Sequence, residues 1–320
     1  MTHEQLLSAL DPALRARVSS AHVANGTATL VVDASGLGAG ARSELENDVE
    51  RVVSALPEIE HVRIALTAEK PVRRILAVAS GKGGVGKSTL AANLALALKR
   101  QGVKVGLVDA DIYGPSQPQI LGNTGAKPEA REKQLIPLIG AGELPVLSIG
   151  HLVPAGKALA WRGPMTGGAL TQLIEADWGD AEVLVVDLPP GTGDVQLTMI
   201  QKHRPAGVVL VSTPQDLALI DAARAGQLFD GAGVPIIGLV ENMSGYACPH
   251  CGEVSDPFGS GGVEQAAERL ELPFLGRIPL SMAIRERSDA GTPPALEENE
   301  LSAPFDAIAA SVASWLEESA

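Results

Sequence analysis

The residues that could do chemistry in this chain gather in three short stretches. Ser80-Gly-Lys-Gly-Gly-Val-Gly-Lys-Ser-Thr89 contains the pattern Gly-x-x-x-x-Gly-Lys-Ser in full, at Gly81, Gly86, Lys87 and Ser88. Glycines let the backbone turn tightly enough for successive N–H groups to converge on phosphate oxygens, and a following helix adds the positive end of its dipole. Gly81, Gly83, Gly84, Val85 and Gly86 would supply that backbone, Lys87 would reach the β- and γ-phosphates of ATP, the Ser88 hydroxyl would ligate Mg2+, and Thr89 would bond an α-phosphate oxygen. Carboxylates close two apolar runs: Asp109 and Asp111 in Leu107-Val-Asp-Ala-Asp111, and Asp187 in Val183-Leu-Val-Val-Asp187. A hard cation prefers oxygen ligands, so a strand-end carboxylate can hold Mg2+ through water; alone, such an aspartate reads as a helix cap. The third stretch, Cys248-Pro-His-Cys251, holds the only two thiols. In a reducing compartment a close pair points to metal binding or redox chemistry rather than to a structural disulfide.

From Ile75 onward the elements that must position these residues read as strands alternating with helices. The runs Ile75–Ala79, Val103–Val108, Leu144–Ile149, Val183–Val186, Val208–Val211, Ile236–Val240 and Pro273–Ile278 are short and rich in β-branched residues. They imply an α/β fold, a mostly parallel sheet with helices on both faces, whose ligands bind outside the carboxyl ends of the strands. The glycine loop has a strand before it and a helical pattern from Ser88 to Lys99 behind it.

Residues 1–70 read as a separate small α+β domain. It has a strand at Ala28–Asp33, a helix over Ala41–Leu56 with apolar residues at helical spacing, a break at Pro57, and a second strand at His61–Leu66. Gly36–Gly40 reads as a turn, and the charged joint Glu69-Lys-Pro-Val-Arg-Arg74 leads into the second domain, residues 71–320. Aromatic residues make up only 3% of the 320, so the cores must be built from aliphatic side chains. A net charge of −13 argues against a nucleic-acid coat or an anionic-membrane binder, both of which need basic surface. No stretch approaches the roughly 18–20 apolar residues that cross a bilayer, and Met1-Thr-His-Glu-Gln5 does not resemble a signal peptide. The expectation is a cytoplasmic protein with neither nucleic acid nor membrane as partner. The last segment, Phe305 to Ala320, is amphipathic but acidic and reads as a helix packed on the body.

Lys82, a second lysine inside the loop, makes Lys-Gly-Gly-x-Gly-Lys-Ser-Thr resemble the deviant P-loop of the family that includes MinD, ParA, arsenite-pump ATPases and the nitrogenase iron protein. Three further stretches narrow the resemblance: Asp111-Ile-Tyr-Gly-Pro-Ser-Gln-Pro118, Leu188-Pro-Pro-Gly-Thr-Gly-Asp194, and Glu241-Asn-Met-Ser244 with the cysteine pair just beyond. Over residues 72–290 the chain resembles the Mrp-type iron–sulfur cluster carriers, the ApbC and Nbp group. The resemblance implies that Lys82 crosses a dimer interface to the partner's phosphates, in a role comparable to an arginine finger. It also implies that Asp111, at switch I, orients the attacking water, that Asp109 assists around Mg2+, and that Asp187 is the Walker B carboxylate. Asn242 would recognise adenine, with Pro279 of the Arg277-Ile-Pro-Leu280 turn beside the base, and Ser212-Thr-Pro-Gln-Asp216 resembles a loop near the nucleotide. The implied protein is a homodimeric ATPase that uses ATP and Mg2+, holds a [4Fe–4S] cluster at Cys248 and Cys251, and hands it to apoproteins. Assembly scaffold proteins are further implied partners.

The stoichiometry can be argued on its own. A [4Fe–4S] cluster or a structural zinc wants about four ligands. One chain supplies two thiolates, and a symmetric dimer would bring two pairs to one axis. Zinc bridging two chains remains an alternative, as does a reversible dithiol. A MinD- or ParA-like positioning ATPase is the alternative of another class. The first domain resembles the small unit fused to such carriers and found alone in iron–sulfur assembly proteins, with Asp11-Pro-Ala-Leu14 at its start. It reads Ala39-Gly-Ala-Arg42 where those units often carry a cysteine, which favours partner docking over metal binding.

Overall fold

The computed structural model describes residues 3–35, 37, 39–67, 72–131, 134–152 and 164–319. The chain divides into two compact units, Met1–Val72 and Arg73–Ala320.

The first unit runs α1 (His3–Ala9), α2 (Pro12–Arg17), β1 (Val18–Ala24), β2 (Thr27–Asp33), α3 (Ala39–Ser54) and β3 (His61–Thr67). Asp11 starts α2: its Oδ1 accepts from the N–H groups of Ala13 and Leu14 at 2.8 and 2.9 Å, and Pro12 fills the first helical position, where no N–H is needed. β2 lies between an antiparallel β1 and a parallel β3. Its Leu30 and Val32 are sealed against Val49 and Val53 of α3. The sequence expectation missed β1, where Ser19, Ser20 and His22 leave no apolar alternation and only Ala21 is fully buried. Of the expected turn and joint, Gly36, Gly38 and residues 68–71 lie outside the described residues, and Ala39 and Gly40 open α3 instead.

The second unit begins β4 (Arg74–Ser80), α4 (Lys87–Arg100), β5 (Val105–Asp109), α5 (Gln117–Ile120), β6 (Ala130–Arg131), β7 (Gln134–Leu135), β8 (Leu138–Gly140), β9 (Leu144–Ser148) and α6 (Ile149–Leu152). It continues α7 (Pro164–Ile174), β10 (Val183–Asp187), α8 (Asp194–Thr198), β11 (Gly207–Ser212), α9 (Asp216–Asp230) and β12 (Ile236–Asn242). After the short hairpin β13 (Tyr246–Ala247) and β14 (Val254–Ser255) come α10 (Gly262–Arg269), β15 (Phe274–Ile278), α11 (Met282–Asp289) and α12 (Ala303–Glu318).

Eight strands form one sheet in the order β15-β12-β11-β4-β10-β5-β9-β8. All neighbours are parallel except β8, which returns antiparallel along β9 and was not expected from sequence; three residues carry no periodicity to detect. The runs on the six inner strands β4, β5, β9, β10, β11 and β12 are largely buried because the pleat sends alternate side chains to two covered faces, whereas the edge strand β15 buries only Ile278. Leu76 and Val78 join one core with α4 and α12, while Ile75, Ala77 and Ala79 join the other with α7, α9 and α10. The acidic α12 packs on the body through Phe305, Ile308, Val312 and Leu316, and Arg74 fastens its end by stacking 5.6 Å from the Trp315 ring and donating to Leu316 O. Among the described residues no helix is long and apolar enough to cross a membrane.

Candidate nucleotide site and cysteine pair

Loop 81–86 leaves the carboxyl end of β4 and enters α4 directly. Gly84 and Gly86 take φ of 79° and 82°, a left-handed backbone that side chains resist. A Cβ added at Gly86 would fall 1.9 Å from Asn242 Nδ2, and one at Gly81 would fall 2.0 Å from the carbonyl carbon of Asp221 in α9. No side chain caps α4, so its first N–H groups are open to an anion at the positive end of the helix.

Behind the loop the strand register sets three carboxylates around one ammonium. β10 lies between β4 and β5, so Asp187 pairs with Val78 on one side and Asp109 on the other. Lys87 is buried, with Nζ 2.5 Å from Asp187 Oδ1, 3.5 Å from Asp111 Oδ2 and 3.3 Å from Ser88 Oγ. Burial alone would lower its pKa, but the charges of Asp187, Asp111 and Asp109 outweigh that and hold it above the ordinary lysine value. Asp109 is sealed and accepts from Ser148 Oγ, Gln117 N and Asp111 N. Burial first, and then the neighbouring Asp187, push its carboxyl up to about 7. This set of hydroxyl and carboxylate oxygens suits a hard divalent cation.

A cavity of about 530 Å³ opens over the loop. It is lined by Lys82, Gly83, Gly84, Gly86, Lys87, Ser88 and Thr89, by Asp111, by Asn242 at the end of β12 and by Pro279 just after β15. Gly81, Val85, Asp109 and Asp187 are not part of that lining. Lys82 is half-buried, and its ammonium makes no hydrogen bond or ion pair among the described residues. Asn242 donates Nδ2 to Val85 O at 2.8 Å, so this side chain braces the loop itself.

Three contributors escaped the sequence reading. Gln117 donates Nε2 to both Asp187 Oδ2 and Ser88 O at 2.9 Å, while its own Oε1 is buried without a partner among the described residues. It sits inside a motif already singled out, one residue before Pro118. Ser148 ends β9 and bonds Asp109 at 2.8 Å; its hydroxyl inside the otherwise apolar run Leu144–Ile149 was the available signal. α11 contributes Ile284, Arg285 and Ser288 to the cavity wall, with no sequence cue.

The cysteines lie apart from this cavity, in the turn between β13 and β14. Cys248 N donates to Glu253 O at 2.9 Å and Gly252 N to Cys248 O at 2.8 Å, closing a tight knuckle. Cys251 is exposed and Cys248 half-buried, and the two are unbridged. N–H groups of His250 and Cys251, followed by the Cys251 thiol, lower the Cys248 pKa, favouring the thiolate that binds metals. Among the described residues no group of three or more His, Cys, Asp or Glu side chains is placed to hold a metal ion.

A parallel sheet with a Gly-x-x-x-x-Gly-Lys-Ser loop between strand and helix, and carboxylates at the adjacent strand ends, defines a P-loop NTPase. The chain belongs to the ParA-type family described as NUBPL iron-transfer P-loop NTPases, whose model matches residues 71–313. It is 47% identical over 249 residues, 77% of this chain and 67% of the other, to the iron-sulfur cluster carrier protein of Escherichia coli strain K12. It is 40% identical over 297 residues to the protein of the same name from Synechocystis, covering 87% of this chain and 84% of that one. Among solved structures it is similar to a nucleotide-binding protein from Archaeoglobus fulgidus in complex with ADP, at a TM-score of 0.63 and 35% identity, covering 72% of this chain and 91% of that one. MinD of Pyrococcus horikoshii, complexed with Mg-ADP, shares the fold at a TM-score of 0.53 and 23% identity, over 78% of this chain and 99% of that one.

Proposed function

We propose that this chain is an ATPase that carries an iron–sulfur cluster and delivers it to apoproteins, the cluster being held between the cysteine pairs of two copies. The carrying observation is the coexistence, in one chain, of an open P-loop cleft with a knuckle that offers two thiolates and no third ligand among the described residues. Two such knuckles make the four-thiolate set that a [4Fe–4S] cargo wants. Relatives named as cluster carriers support the reading.

In the hydrolysis step Lys87 leaves Asp187 for the β- and γ-phosphates while the loop N–H groups hold their oxygens. Ser88 and Asp187, with Asp109 behind them, would hold Mg2+, which when bound spreads the phosphate charge. Asp111 accepts a hydrogen bond from the attacking water, orienting it on the γ-phosphorus as the bond to the β–γ bridging oxygen breaks. Lys82, whose ammonium makes no hydrogen bond or ion pair among the described residues, supplies charge to the partner's phosphates. Asn242 and Pro279 flank the base. The 1–70 unit serves in docking to partner proteins.

Anaerobic reconstitution with iron and sulfide tests the cargo. The expected result is one four-iron cluster per two chains, lost in Cys248→Ala and in Cys251→Ala. A cluster that survives Cys248→Ala, or zinc alone in protein purified without oxygen, would sink the reading.

A further inference from the structure

Glu241, the last strand residue before Asn242, is fully buried and carries four hydrogen bonds, all as acceptor. Its Oε1 accepts from Ser244 Oγ at 2.8 Å, Gly261 N at 3.0 Å and Arg277 Nε at 3.2 Å, and its Oε2 accepts from Val263 N at 2.9 Å. Burial alone would raise its pKa, but these donors hold the carboxyl below the ordinary range.

The positions of those donors matter more than their number. The cysteine knuckle belongs to one excursion, residues 243–261, between β12 and α10. Ser244 stands at its start, Gly261 at its end, and Val263 in the first turn of α10. One carboxylate therefore closes the excursion at both ends. The next residue reaches the other way: Asn242 donates to Val85 O inside the phosphate loop. Between this contact and Ser244 the chain turns through Met243 at φ 60°, a left-handed backbone that costs a bulky side chain on the order of 1 kcal/mol or more. The excursion is also tied to the cleft wall, with Ser244 N donating to Ile278 O at 3.1 Å and Leu280 N to Gly245 O at 2.9 Å.

We infer that Glu241 is the positioning residue of the cysteine knuckle, and that with Asn242 it forms a short rigid joint through which occupancy of the phosphate loop sets the placement of Cys248 and Cys251. A ligand that shifts Val85 moves Asn242, and the base of the knuckle must follow, because both of its ends are bonded to the adjacent residue. This deepens the carrier reading and rests on it for its purpose, but the joint itself can be read without any metal.

The test uses the full metal-free, reduced protein and the alkylation rate of Cys248 and Cys251 by iodoacetamide, with and without Mg-ADP. In the unmodified chain saturating Mg-ADP should change that rate about fivefold. Glu241→Gln keeps the shape but turns a donor toward Val263 N–H or its neighbours; it should abolish the response while leaving Mg-ADP affinity within about threefold. Ser244→Ala removes a single bond at one end and should roughly halve the response on a logarithmic scale, deciding the matter should Glu241→Gln not fold. Nucleotide-independent alkylation in the unmodified chain, or a full response in both variants, overturns the inference. Neither result touches the cluster reading, which stands or falls by reconstitution.

Discussion

Lys87 Nζ lies 2.5 Å from Asp187 Oδ1, at the centre of three carboxylates with Asp109 and Asp111. The ammonium that faces the cleft is thus also the counter-ion that lets two aspartates, side by side on β5 and β10, stay buried. Lys87→Ala should abolish ATP affinity and also destabilise the metal-free fold by about 3 kcal/mol at neutral pH, because a buried charge pair broken on one side leaves uncompensated charge. Protonation of Asp109, whose carboxyl burial pushes up to about 7, relieves part of that charge, so the deficit should shrink at pH 5. Urea midpoints of both proteins in EDTA, at the two pH values, check this; a neutral-pH stability equal to that of the unmodified chain would refute it.

Gly81→Ala should be more damaging than its size suggests. The new methyl meets the backbone of Asp221, which cannot swing aside as a side chain can. The loop or α9 must move, at a cost of about 2 kcal/mol, with nucleotide affinity falling at the same time. Calorimetric melting and ADP titration read the two effects.

His151 provides a pH-dependent element of stability. Its Nδ1 accepts from Ser148 N at 3.1 Å, which leaves the proton on Nε2, facing Asn123 Oδ1 at 3.1 Å. Burial pushes the imidazole down to about 4. The unfolded chain protonates this residue near pH 6.5, so between the two values the native state binds fewer protons and loses stability as the pH falls, by up to about 3 kcal/mol. Above pH 6.5 the contribution is complete. His151→Gln should be less stable at pH 7 but show a flatter decline from pH 6.5 to 4.5, measured as urea midpoints against those of the unmodified chain.

Lys82→Ala should leave stability within about 0.5 kcal/mol, since its ammonium makes no hydrogen bond or ion pair among the described residues. ATP turnover should fall by about a thousandfold, the scale of an arginine finger. Mixing Lys82→Ala with Lys87→Ala chains should restore part of the activity, because one site in each mixed dimer then has its own Lys87 and a partner Lys82. Activity no greater than that of either variant alone would place the action of Lys82 within its own chain.

The parts of this protein that could be read from its residues are those where one physical demand dominates. The six inner strands were visible because burial on both faces requires unbroken apolar runs, and the phosphate loop because a backbone wrapped on an anion requires glycines at fixed spacing. β1 and β8 were not visible, one being half polar and the other three residues long. At the site, the phosphate-loop residues carried a motif that states their chemistry, whereas Gln117 and Glu241 stood inside motifs that did not state theirs, and Ser148 and α11 carried none. Gln117, Ser148 and Glu241 act through partners far away in sequence, and nothing about a glutamine, a serine or a strand-end glutamate announces which carboxylate or amide it will meet. Asn242 shows the same gap: its motif named the residue, but only the fold revealed its bond to Val85.

The knuckle with two thiols has a consequence for dosage. On the proposed reading each chain owns half a cargo berth, so loading rises with the square of chain concentration while the dimer is scarce. A cell making little of this protein would keep it empty, and one making more would fill it abruptly. The spacing of Cys248 and Cys251, by stopping at two ligands, would turn abundance itself into a threshold for iron traffic.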